Sequence, residues 1–213
     1  MVVSDVMSTN VVSIPSHTSV SEARRILDAH RFRRLPVVDR GKLMGVVSKD
    51  ALDRMGPSQL TTFSMHEISY LLSKITVKEI MHRDVVTVTP DTTIEQAVAL
   101  AQIKGVGSLM VMEGERLVGL ATTNDFFYRV LNPILGIAAP GSRIVVRNCH
   151  QGPDVEKVVA AINKLGVGIV TLFTIAFPEV NKHDLVIHLD TEDTSRVIEE
   201  IKGLGCLVEE RAR

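Results

Sequence analysis

The strongest constraint on how this chain can fold is an internal repeat, because the sequence aligns with itself without a gap at an offset of 74 residues. Residues 6–48 lie over residues 80–122, and many pairs that differ keep their apolar character. Nine pairs are identical, namely Met7/Met81, Val11/Val85, Val12/Val86, Thr18/Thr92, Ala23/Ala97, Leu35/Leu109, Val37/Val111, Leu43/Leu117 and Gly45/Gly119. Ordinary residue frequencies would give about two or three identities. The sequence therefore predicts a duplicated structural unit.

Each copy of the repeat opens with the pattern of a short strand followed by a helix. The runs Val11–Ile14 and Val85–Val88 are rich in β-branched residues and lead into a proline, which is typical of a strand and its end. Thr18 and Thr92 are predicted to cap the helices that follow. In the second copy, Glu95 stands three residues after Thr92, so the pair predicts a capping box.

The remainder of each copy is predicted to be a hairpin and a short helix. The predicted elements of the first copy are a strand over 11–14, a helix over 19–30 that buries Val20, Ala23 and Leu27, strands over 35–38 and 43–48, and a helix starting near Asp50. The second copy repeats this order, and its last helix starts near Asn124. We assign residues 1–55 to the first copy and 80–132 to the second.

A different pattern follows the repeats. Residues 56–79 are predicted to form a connecting helix segment with a capping box at Ser64 and Glu67, and residues 133–141 a charge-free linker. Residues 142–213 predict a strand over 143–147, a helix from Pro153 to Gly166, strands over 167–177 and 184–189, a helix from Thr191 to Gly203 and a strand over 206–209. This βαββαβ order is the split-βαβ pattern of ferredoxin-like folds. The predicted fold class is therefore α/β (α+β).

Composition argues against several classes of protein. Lys and Arg total 24 and Asp and Glu total 25, so a net charge of −1 gives no general attraction to nucleic acid. Aromatic residues make up 4% and Trp is absent, which argues against a surface that stacks bases. No charge-free run reaches the roughly 18 residues of a transmembrane helix, and the first residues lack the apolar core of a signal peptide. With only two cysteines, we expect a cytoplasmic protein with reduced thiols.

The hairpin sequences carry a family resemblance. The first copy reads RRLPVVD and then GVVSKD from Gly45, and the second reads GLATTND from Gly119. These segments resemble the CBS motif, whose pairs form a Bateman module that binds adenine nucleotides. The C-terminal pattern is similar to an ACT domain, a regulatory module that often binds amino acids at a dimer interface. The whole arrangement resembles the AcuB-type acetoin-utilisation family.

The resemblance implies particular nucleotide-binding residues. CBS pairs carry the pattern Gly-x-x-Thr/Ser-x-x-Asp, in which the hydroxyl reaches a phosphate and the carboxylate accepts both ribose hydroxyls. The second copy matches fully with Thr122 and Asp125. In the first copy, Ser48 is in place, but Asp50 comes one residue early and Ala51 holds the expected position. The second-copy site is expected to bind a ribonucleotide, and the first to be weak, altered or empty. Asp125 could alternatively serve only to cap a helix.

Other candidate residues flank this pattern. Arg33 and Arg34 stand where some nucleotide-binding CBS modules carry basic phosphate contacts, and a planar guanidinium suits a phosphate. A solvated basic edge is the equally weighted alternative. Val12 and Val86 could offer backbone groups and an apolar wall to an adenine ring, although such residues usually belong to a core.

We therefore expect a non-catalytic regulatory sensor that binds AMP, ADP, ATP or S-adenosylmethionine between the CBS copies. It would signal to the ACT-like unit, which can take an amino-acid effector, or to a partner protein, and a homodimer is expected by resemblance. No nucleophile–base set, phosphate loop or metal-ligand spacing appears, so no catalytic or metal site is predicted. The alternatives are an enzyme or accessory subunit of acetoin catabolism and a structural adaptor with vestigial nucleotide sites.

Overall fold

Two units make up the chain. The computed structural model describes residues 1–55, 70, 73–177 and 182–211. Backbone contacts divide the chain into Met1–Arg129 and Val130–Arg213. Both units combine strands with helices, which confirms the predicted α/β (α+β) class. The capping box predicted at Ser64 and Glu67 falls outside the described residues, and so does most of the connecting helix segment.

The first unit contains both copies of the repeat. The elements of the first copy are α1 (Val20–His30), β1 (Arg34–Asp39), β2 (Lys42–Ser48) and α2 (Lys49–Arg54). The helix α3 (Val77–Ile80) precedes the second copy. The elements of the second copy are β3 (Thr87–Val88), α4 (Ile94–Lys104), β4 (Ser108–Glu113), β5 (Arg116–Thr122) and α5 (Thr123–Phe126). A 3₁₀ turn over Val3–Asp5 occupies the position ahead of the first copy that α3 occupies ahead of the second, and a π-helical turn over Phe127–Leu131 follows α5.

A five-stranded sheet in the order β1-β2-β5-β4-β3 joins the two copies. β1 pairs antiparallel with β2, β4 pairs antiparallel with β5, and β2 meets β5 where Lys42 lies opposite Arg116. Each hairpin has its register shift at the equivalent place, Val37/Val38 in one and Val111/Met112 in the other. The duplication therefore extends from the sequence to the details of strand register.

The predicted buried face of α1 is confirmed. Val20, Ala23 and Leu27 are all buried, as their spacing of three and four residues requires. They pack in one cluster with Leu35 and Val37 of β1. Full burial of a side chain such as Leu27 or Leu35 contributes about 1.5–3 kcal/mol, so this cluster holds the helix against the hairpin.

The predicted helix caps are wrong by one residue in both copies. The capping residues are Ser19 and Thr93, whose side-chain oxygens accept the backbone N–H three residues further on. Thr18 and Thr92 instead end the preceding turn, because each donates its N–H to the carbonyl three residues earlier. The capping box predicted between Thr92 and Glu95 consequently does not form. Two hydroxyl residues in a row left the start of the helix ambiguous in the sequence.

The first predicted strand of each copy is shorter than expected. From the run Val11–Ile14, Ile14 alone pairs, in a single parallel bridge to Val37. From the run Val85–Val88, only Thr87–Val88 forms β3. The bridge of Ile14 stops at Pro15, which has no N–H to donate to a neighbouring strand.

The start of the chain pairs with the second copy. Within residues 2–8, Val3 donates its N–H to the Thr92 carbonyl at 2.8 Å. Ser8 and Leu120 exchange two backbone hydrogen bonds of 2.9 and 3.0 Å. Residues 2–8 therefore pack against the beginning of α4 and along β5, rather than on the copy that follows them in the sequence.

The equivalent segment of the second copy makes the mirrored contacts. Within residues 76–82, Val77 donates its N–H to the Thr18 carbonyl at 2.8 Å, and His82 and Val46 exchange two backbone hydrogen bonds of 2.9 Å. We call residues 2–8 and 76–82 the leading segments. The two copies exchange their leading segments, so each copy is completed by residues that precede the other.

The second unit has the predicted βαββαβ order. Its elements are α6 (Asn132–Ile134), β6 (Arg143–Val146), α7 (Gly152–Lys164), β7 (Ile169–Phe177), β8 (Lys182–Leu189), α8 (Ser195–Gly203) and β9 (Val208–Arg211). The four strands pair antiparallel in the order β7-β8-β6-β9, which is that of a ferredoxin-like sheet. Val158 and Ile162 of α7 and Val197 and Ile201 of α8 pack in the core of this unit.

The predicted start of the last helix is wrong. The sequence predicts Thr191 as its first residue, but α8 begins at Ser195. The Thr191 hydroxyl donates to the Asp193 carbonyl at 3.2 Å, and the Asp193 carboxylate accepts the N–H of Ser195 at 3.0 Å. Asp193 thus stabilises a turn just before the helix, because its side chain satisfies an N–H that has no helical partner.

The two cysteines lie in one apolar cluster, as the pairing of β6 with β9 predicts. Cys149 is buried and Cys206 is half-buried, and both are free. Burial raises the pKa of the Cys149 thiol, and the neighbouring Cys206 raises it further. A thiol with a raised pKa stays protonated at neutral pH and reacts slowly.

Candidate functional site

The end of β5 carries the full-match motif. Thr122 caps α5, and its hydroxyl and backbone N–H donate to Asp125 Oδ2 at 2.7 and 2.8 Å. The Asp125 N–H returns a bond of 3.4 Å to the Thr122 hydroxyl oxygen. Both side chains are half-buried. The capping alternative for Asp125 is thus present in the structure, and both of its capping bonds fall on a single carboxylate oxygen.

The equivalent place in the first copy has different chemistry. Ser48 caps α2 by accepting the N–H of Ala51 at 3.2 Å. Ala51 stands where Asp125 stands in the second copy, and its methyl side chain is 7% exposed. Asp50 is exposed, and Lys49 forms an ion pair with Asp28 at 2.6 Å that raises the pKa of the lysine. The first copy therefore keeps the cap but has no carboxylate within it.

Arg34 reaches from the first copy to the second. A Cβ built on Gly107 would lie 3.2 Å from Arg34 Nη1 and 3.4 Å from Thr123 Oγ1. Thr123 Oγ1 also donates to the Gly107 carbonyl at 3.2 Å. Gly107 directly precedes β4, whose first residue Ser108 pairs with Thr122. The guanidinium of one copy therefore lies at the strand end where the other copy presents its motif.

Sequence reasoning named Arg34 but missed Gly107 and Thr123 as site residues. The available signal was the offset alignment, which places a large side chain, Arg33, over Gly107. A glycine that aligns with an arginine of the other copy leaves space, and a long side chain from another part of the fold can fill that space. Arg33 itself is exposed, and its carbonyl accepts the Lys49 N–H at 2.9 Å.

The two candidate valines, Val12 and Val86, are both half-buried. Val12 is half-buried and packs against the core cluster of the first copy. Val86 is half-buried, and its carbonyl accepts the N–H of Met110 at 3.1 Å. The carbonyl of Val86 is therefore already engaged by β4, and its half-buried side chain is accessible to a ligand.

A cavity of about 300 Å³ lies elsewhere in the first unit. It is lined by Lys42, Leu43, Arg83, Val85, Thr87, Met112, Gly114 and Glu115. Lys42 starts β2 and Glu115 precedes β5, and the two form an ion pair at 3.6 Å. The cavity thus includes the hairpin-turn end of the sheet, and none of the predicted site residues line it.

The described parts of the chain lack two other kinds of feature. Among those residues, no three or more His, Cys, Asp or Glu side chains are grouped so that they could hold a metal ion. No helix there has both the length and the apolar run needed to span a bilayer. These results concern residues 1–55, 70, 73–177 and 182–211 alone.

Three solved structures resemble part of this chain. A putative acetoin utilization protein (AcuB) from Vibrio cholerae has 26% identity and a TM-score of 0.53, covering 66% of this chain and 98% of that one. The CBS domain pair of protein MJ0100, in complex with 5′-methylthioadenosine and S-adenosyl-L-methionine, has 25% identity and a TM-score of 0.50, covering 62% and 96%. CBSX2 in complex with AMP has 25% identity and a TM-score of 0.51, covering 62% and 96%.

Curated relatives also match part of this chain. An A-adding tRNA nucleotidyltransferase of Geobacter sulfurreducens is 29% identical over 123 residues, which are 57% of this chain and 12% of that protein. An inosine-5′-monophosphate dehydrogenase of Korarchaeum cryptofilum is 33% identical over 125 residues, which are 58% and 23%. The chain thus spans less than a quarter of the length of either enzyme.

The family model for the CBS domain matches residues 3–55 and 77–132, which together are more than half of the chain. Those two ranges contain both copies of the repeat, both hairpins and both leading segments apart from their first residues. They also contain the Thr122–Asp125 motif and the arginine that reaches it. By sequence, by fold and by this match, the chain belongs to the CBS domain family and carries its motif as a pair.

Proposed function

We propose that the first unit is a regulatory, non-catalytic sensor that binds an adenine nucleotide between its two CBS copies. The observation that carries the proposal is the position of Arg34, which lies over Gly107 and beside Thr123 of the other copy. This brings a cation from one copy to the strand end where the other presents a hydroxyl and a carboxylate. The cation and the hydroxyl suit a phosphate, and the carboxylate suits a ribose diol.

Each group at the second-copy site has a proposed role. The Asp125 carboxylate accepts the ribose hydroxyls, Thr122 and Arg34 contact phosphate, and the Val86 side chain lies against the adenine ring. Both capping bonds to Asp125 fall on Oδ2. Because a carboxylate offers about four acceptor positions, Oδ1 can accept a ribose hydroxyl while the Thr122 N–H keeps its bond to Oδ2. The Thr122 hydroxyl has a single proton, so it must turn away from Oδ2 in order to donate to the phosphate.

The charge at this site bears on the choice of ligand. The similar CBS pairs hold either AMP or S-adenosylmethionine with 5′-methylthioadenosine. Arg34 favours the anionic phosphate of AMP, ADP or ATP over the sulfonium of S-adenosylmethionine, because like charges repel. We therefore propose that phosphorylated adenosines bind more tightly to this chain than S-adenosylmethionine does.

The first-copy site is proposed to bind weakly or not at all. Ser48 and Val12 match their counterparts, but Ala51 supplies a methyl group where a carboxylate is needed. Asp50 is exposed one residue away, and Arg33 is exposed as well. We propose one strong nucleotide site per chain.

The second unit is proposed to receive the signal as an ACT-like domain with an amino-acid effector, or to pass it to a partner protein. Its βαββαβ order and its sheet order support this assignment. Similarity to the Vibrio cholerae protein supports a role linked to acetoin utilization. A cytoplasmic homodimer remains our prediction. A nucleotide would regulate either target only by favouring one conformation over another.

The test is calorimetric titration of the full chain, stripped of nucleotide, with AMP, ADP, ATP and S-adenosylmethionine. Asp125→Asn keeps the shape of the side chain but removes its charge, and Asp50→Asn is the matched control in the first copy. We expect saturable binding with one site per chain. Affinity should fall at least tenfold in Asp125→Asn and remain unchanged in Asp50→Asn, with thermal unfolding of each variant as a check on folding.

Two results would contradict the proposal. Absence of binding to all four compounds by the wild-type chain would favour an adaptor with vestigial sites. Equal loss of affinity in both variants would place the ligand outside the second-copy motif. A turnover assay on acetoin without any added partner separates the sensor from an enzyme, since the sensor should show none.

A further inference from the structure

The two cysteines of the chain lie at the same end of the C-terminal sheet. β6 pairs with β9, and this pairing continues one residue past Val146, where Arg147 donates its N–H to the Leu207 carbonyl at 2.8 Å. Cys206 directly precedes Leu207, and Cys149 follows Arg147 by two residues. Neighbouring strands are about 4.8 Å apart, so this register places the two cysteine backbones close together.

A left-handed turn brings both thiols to one face of the sheet. Side chains alternate along a strand, so a regular continuation of β6 would place Cys149 on the face of Arg147, away from the core. Asn148 has a φ of 52°, and Asp184 accepts its N–H at 3.0 Å, so the alternation ends there. Cys149 consequently packs in the core cluster of this unit, and Cys206 packs against the same cluster.

The two thiols differ in their access to solvent. Cys149 is 3% exposed, whereas Cys206 is half-buried. Burial raises the pKa of the Cys149 thiol, and the nearby Cys206 raises it further, which agrees with their placement side by side. Among the described residues, no third His, Cys, Asp or Glu side chain joins the pair to form a metal-ligand set. An oxidant dissolved in water therefore meets Cys206 first.

We propose that Cys206 and Cys149 form a reversible redox modification site, at which hydrogen peroxide converts the two thiols into an intramolecular disulfide. The Cys206 sulfur attacks the peroxide and breaks its O–O bond, so Cys206 becomes a sulfenic acid and the thiol proton leaves with the released hydroxide as water. The Cys149 sulfur then attacks the sulfenic sulfur, and its proton leaves with the hydroxyl group as a second water. The two sulfurs together lose two electrons, and the peroxide gains them.

The disulfide changes the stability and the freedom of this end of the unit. It connects the turn after β6 with the start of β9 and closes a loop that spans residues 149–206. Closing a long loop lowers the entropy of the unfolded chain, so the oxidised chain should be more stable than the reduced one. The bond also holds the short segment between β6 and α7 against the last strand. A thiol reductant reverses the modification by exchange.

Intact-mass spectrometry of the reduced full chain, treated with hydrogen peroxide under native conditions, tests the proposal. We expect the mass to fall by that of two hydrogen atoms, and both free thiols to disappear together, since the chain has only two cysteines. Peptides from digestion without reductant should join Cys149 to Cys206, with a yield that does not depend on protein concentration. The melting temperature should rise by about 5 °C, and dithiothreitol should reverse every change.

Cys149→Ser and Cys206→Ser are matched variants, because each replaces one sulfur atom by oxygen. Cys149→Ser should accumulate a sulfenic acid at Cys206 that dimedone traps, since no second thiol remains to resolve it. Cys206→Ser should lose its remaining thiol at least tenfold more slowly, because Cys149 is buried. Cys149→Ala replaces Cys149→Ser if the buried hydroxyl prevents folding.

Four results would overturn the proposal. The wild-type chain could keep both thiols in peroxide, or Cys206 could gain oxygen without bonding to Cys149. The disulfide could join two chains instead of one. The two variants could also lose their remaining thiols equally fast, which would mean that the difference in burial does not set the order of reaction.

Discussion

The two CBS copies share a backbone and differ in the chemistry placed on it. Both hairpins shift register at the same position, Val37/Val38 and Val111/Met112, and both end in a hydroxyl that caps a helix. In the second copy that cap includes the Asp125 carboxylate, and in the first copy Ala51 occupies the equivalent position. The backbone framework depends on apolar spacing and turns, so the cap residues can diverge without disturbing it.

The first copy contributes to the second-copy site in another way. Arg34 lies over Gly107, whereas the residue equivalent to Arg34 in the second copy is Ser108, which is buried and too short to make a reciprocal contact. The duplication is therefore symmetrical in its strands and asymmetrical in its charges. One copy carries the recognition motif, and the other supplies a cation.

The largest expected difference between the copies concerns Gly45 and Gly119, the equivalent glycines that open the two Gly-x-x-Thr/Ser patterns. A Cβ on Gly45 would lie 2.7 Å from the His82 carbonyl oxygen, whereas the nearest obstacle at Gly119 is the flexible end of the Met7 side chain. Gly45→Ala should cost about 3 kcal/mol of unfolding free energy because backbone must move, and Gly119→Ala about 1 kcal/mol. Urea denaturation of both variants measures the difference in unfolding free energy. Equal losses would show that the two leading segments move equally easily to make room for the added methyl group.

Restoring the missing carboxylate is the second test. Ala51→Asp gives the first copy the spacing of Thr122 and Asp125, and the new side chain can form the same reciprocal cap with Ser48. We expect calorimetry with AMP to change from one site per chain toward two. Asp50→Ala in the same background is the control, and it should leave the new site intact. An unchanged stoichiometry would mean that the first copy lacks more than its carboxylate.

The two neighbouring arginines should differ in their effect on binding. Arg34→Gln should weaken AMP binding about fivefold, a loss of about 1 kcal/mol, because it removes the guanidinium that lies over Gly107. Arg33→Gln should have little effect, since that side chain is exposed. Adenosine, which has no phosphate, should bind equally to both variants. If Arg34→Gln weakened adenosine binding as much as AMP binding, the role of Arg34 would be structural.

The smallest expected difference is in acid stability. Ser16 donates its N–H to Asp39 at 2.9 Å, and hydrogen bonds from Ser16 lower the pKa of Asp39. In the second copy this bond cannot form, because Pro90 stands at the position of Ser16. A carboxylate with a lowered pKa stabilises the fold fully above its unfolded pKa of about 3.9 and loses this effect as pH falls through the lower folded value.

Asp39→Asn should therefore reduce the dependence of the melting temperature on pH below about 4. Glu113→Gln, at the equivalent position in the second copy, should leave that dependence unchanged. Thermal melts of both variants over the acidic range provide the measurement. An equal change in both would mean that the proline makes no difference to the acid response.

Much of the fold follows from the sequence, since local patterns decide local structure. The periodic residues Val20, Ala23 and Leu27 determine which face of α1 is buried, and the order of elements in the second unit follows from alternating apolar runs and glycines. The caps were misplaced by one residue because Thr18 and Ser19 can both accept an N–H. Neighbouring hydroxyls differ too little in energy for their order alone to decide.

The contacts between the copies could not be predicted in the same way. Two similar copies offer two similar surfaces, so a pattern does not indicate which one residues 2–8 will cover. The position of Arg34 over Gly107 also depends on the arrangement of the copies in space. The missing carboxylate of the first copy is visible in the sequence, but the contribution of Arg34 to the second-copy site appears only once both copies are folded together.

The exchange of leading segments has a consequence for synthesis. Residues 2–8 leave the ribosome roughly a hundred residues before their partners at Thr92 and Leu120. A chain that must close contacts of such long sequence separation folds more slowly than one built from neighbours. Joining both copies in one chain makes the encounter of each segment with its partner intramolecular, which raises its effective concentration. Because both copies belong to one chain, the exchange of leading segments is a unimolecular step. Two separate copies could exchange these segments only in a bimolecular step.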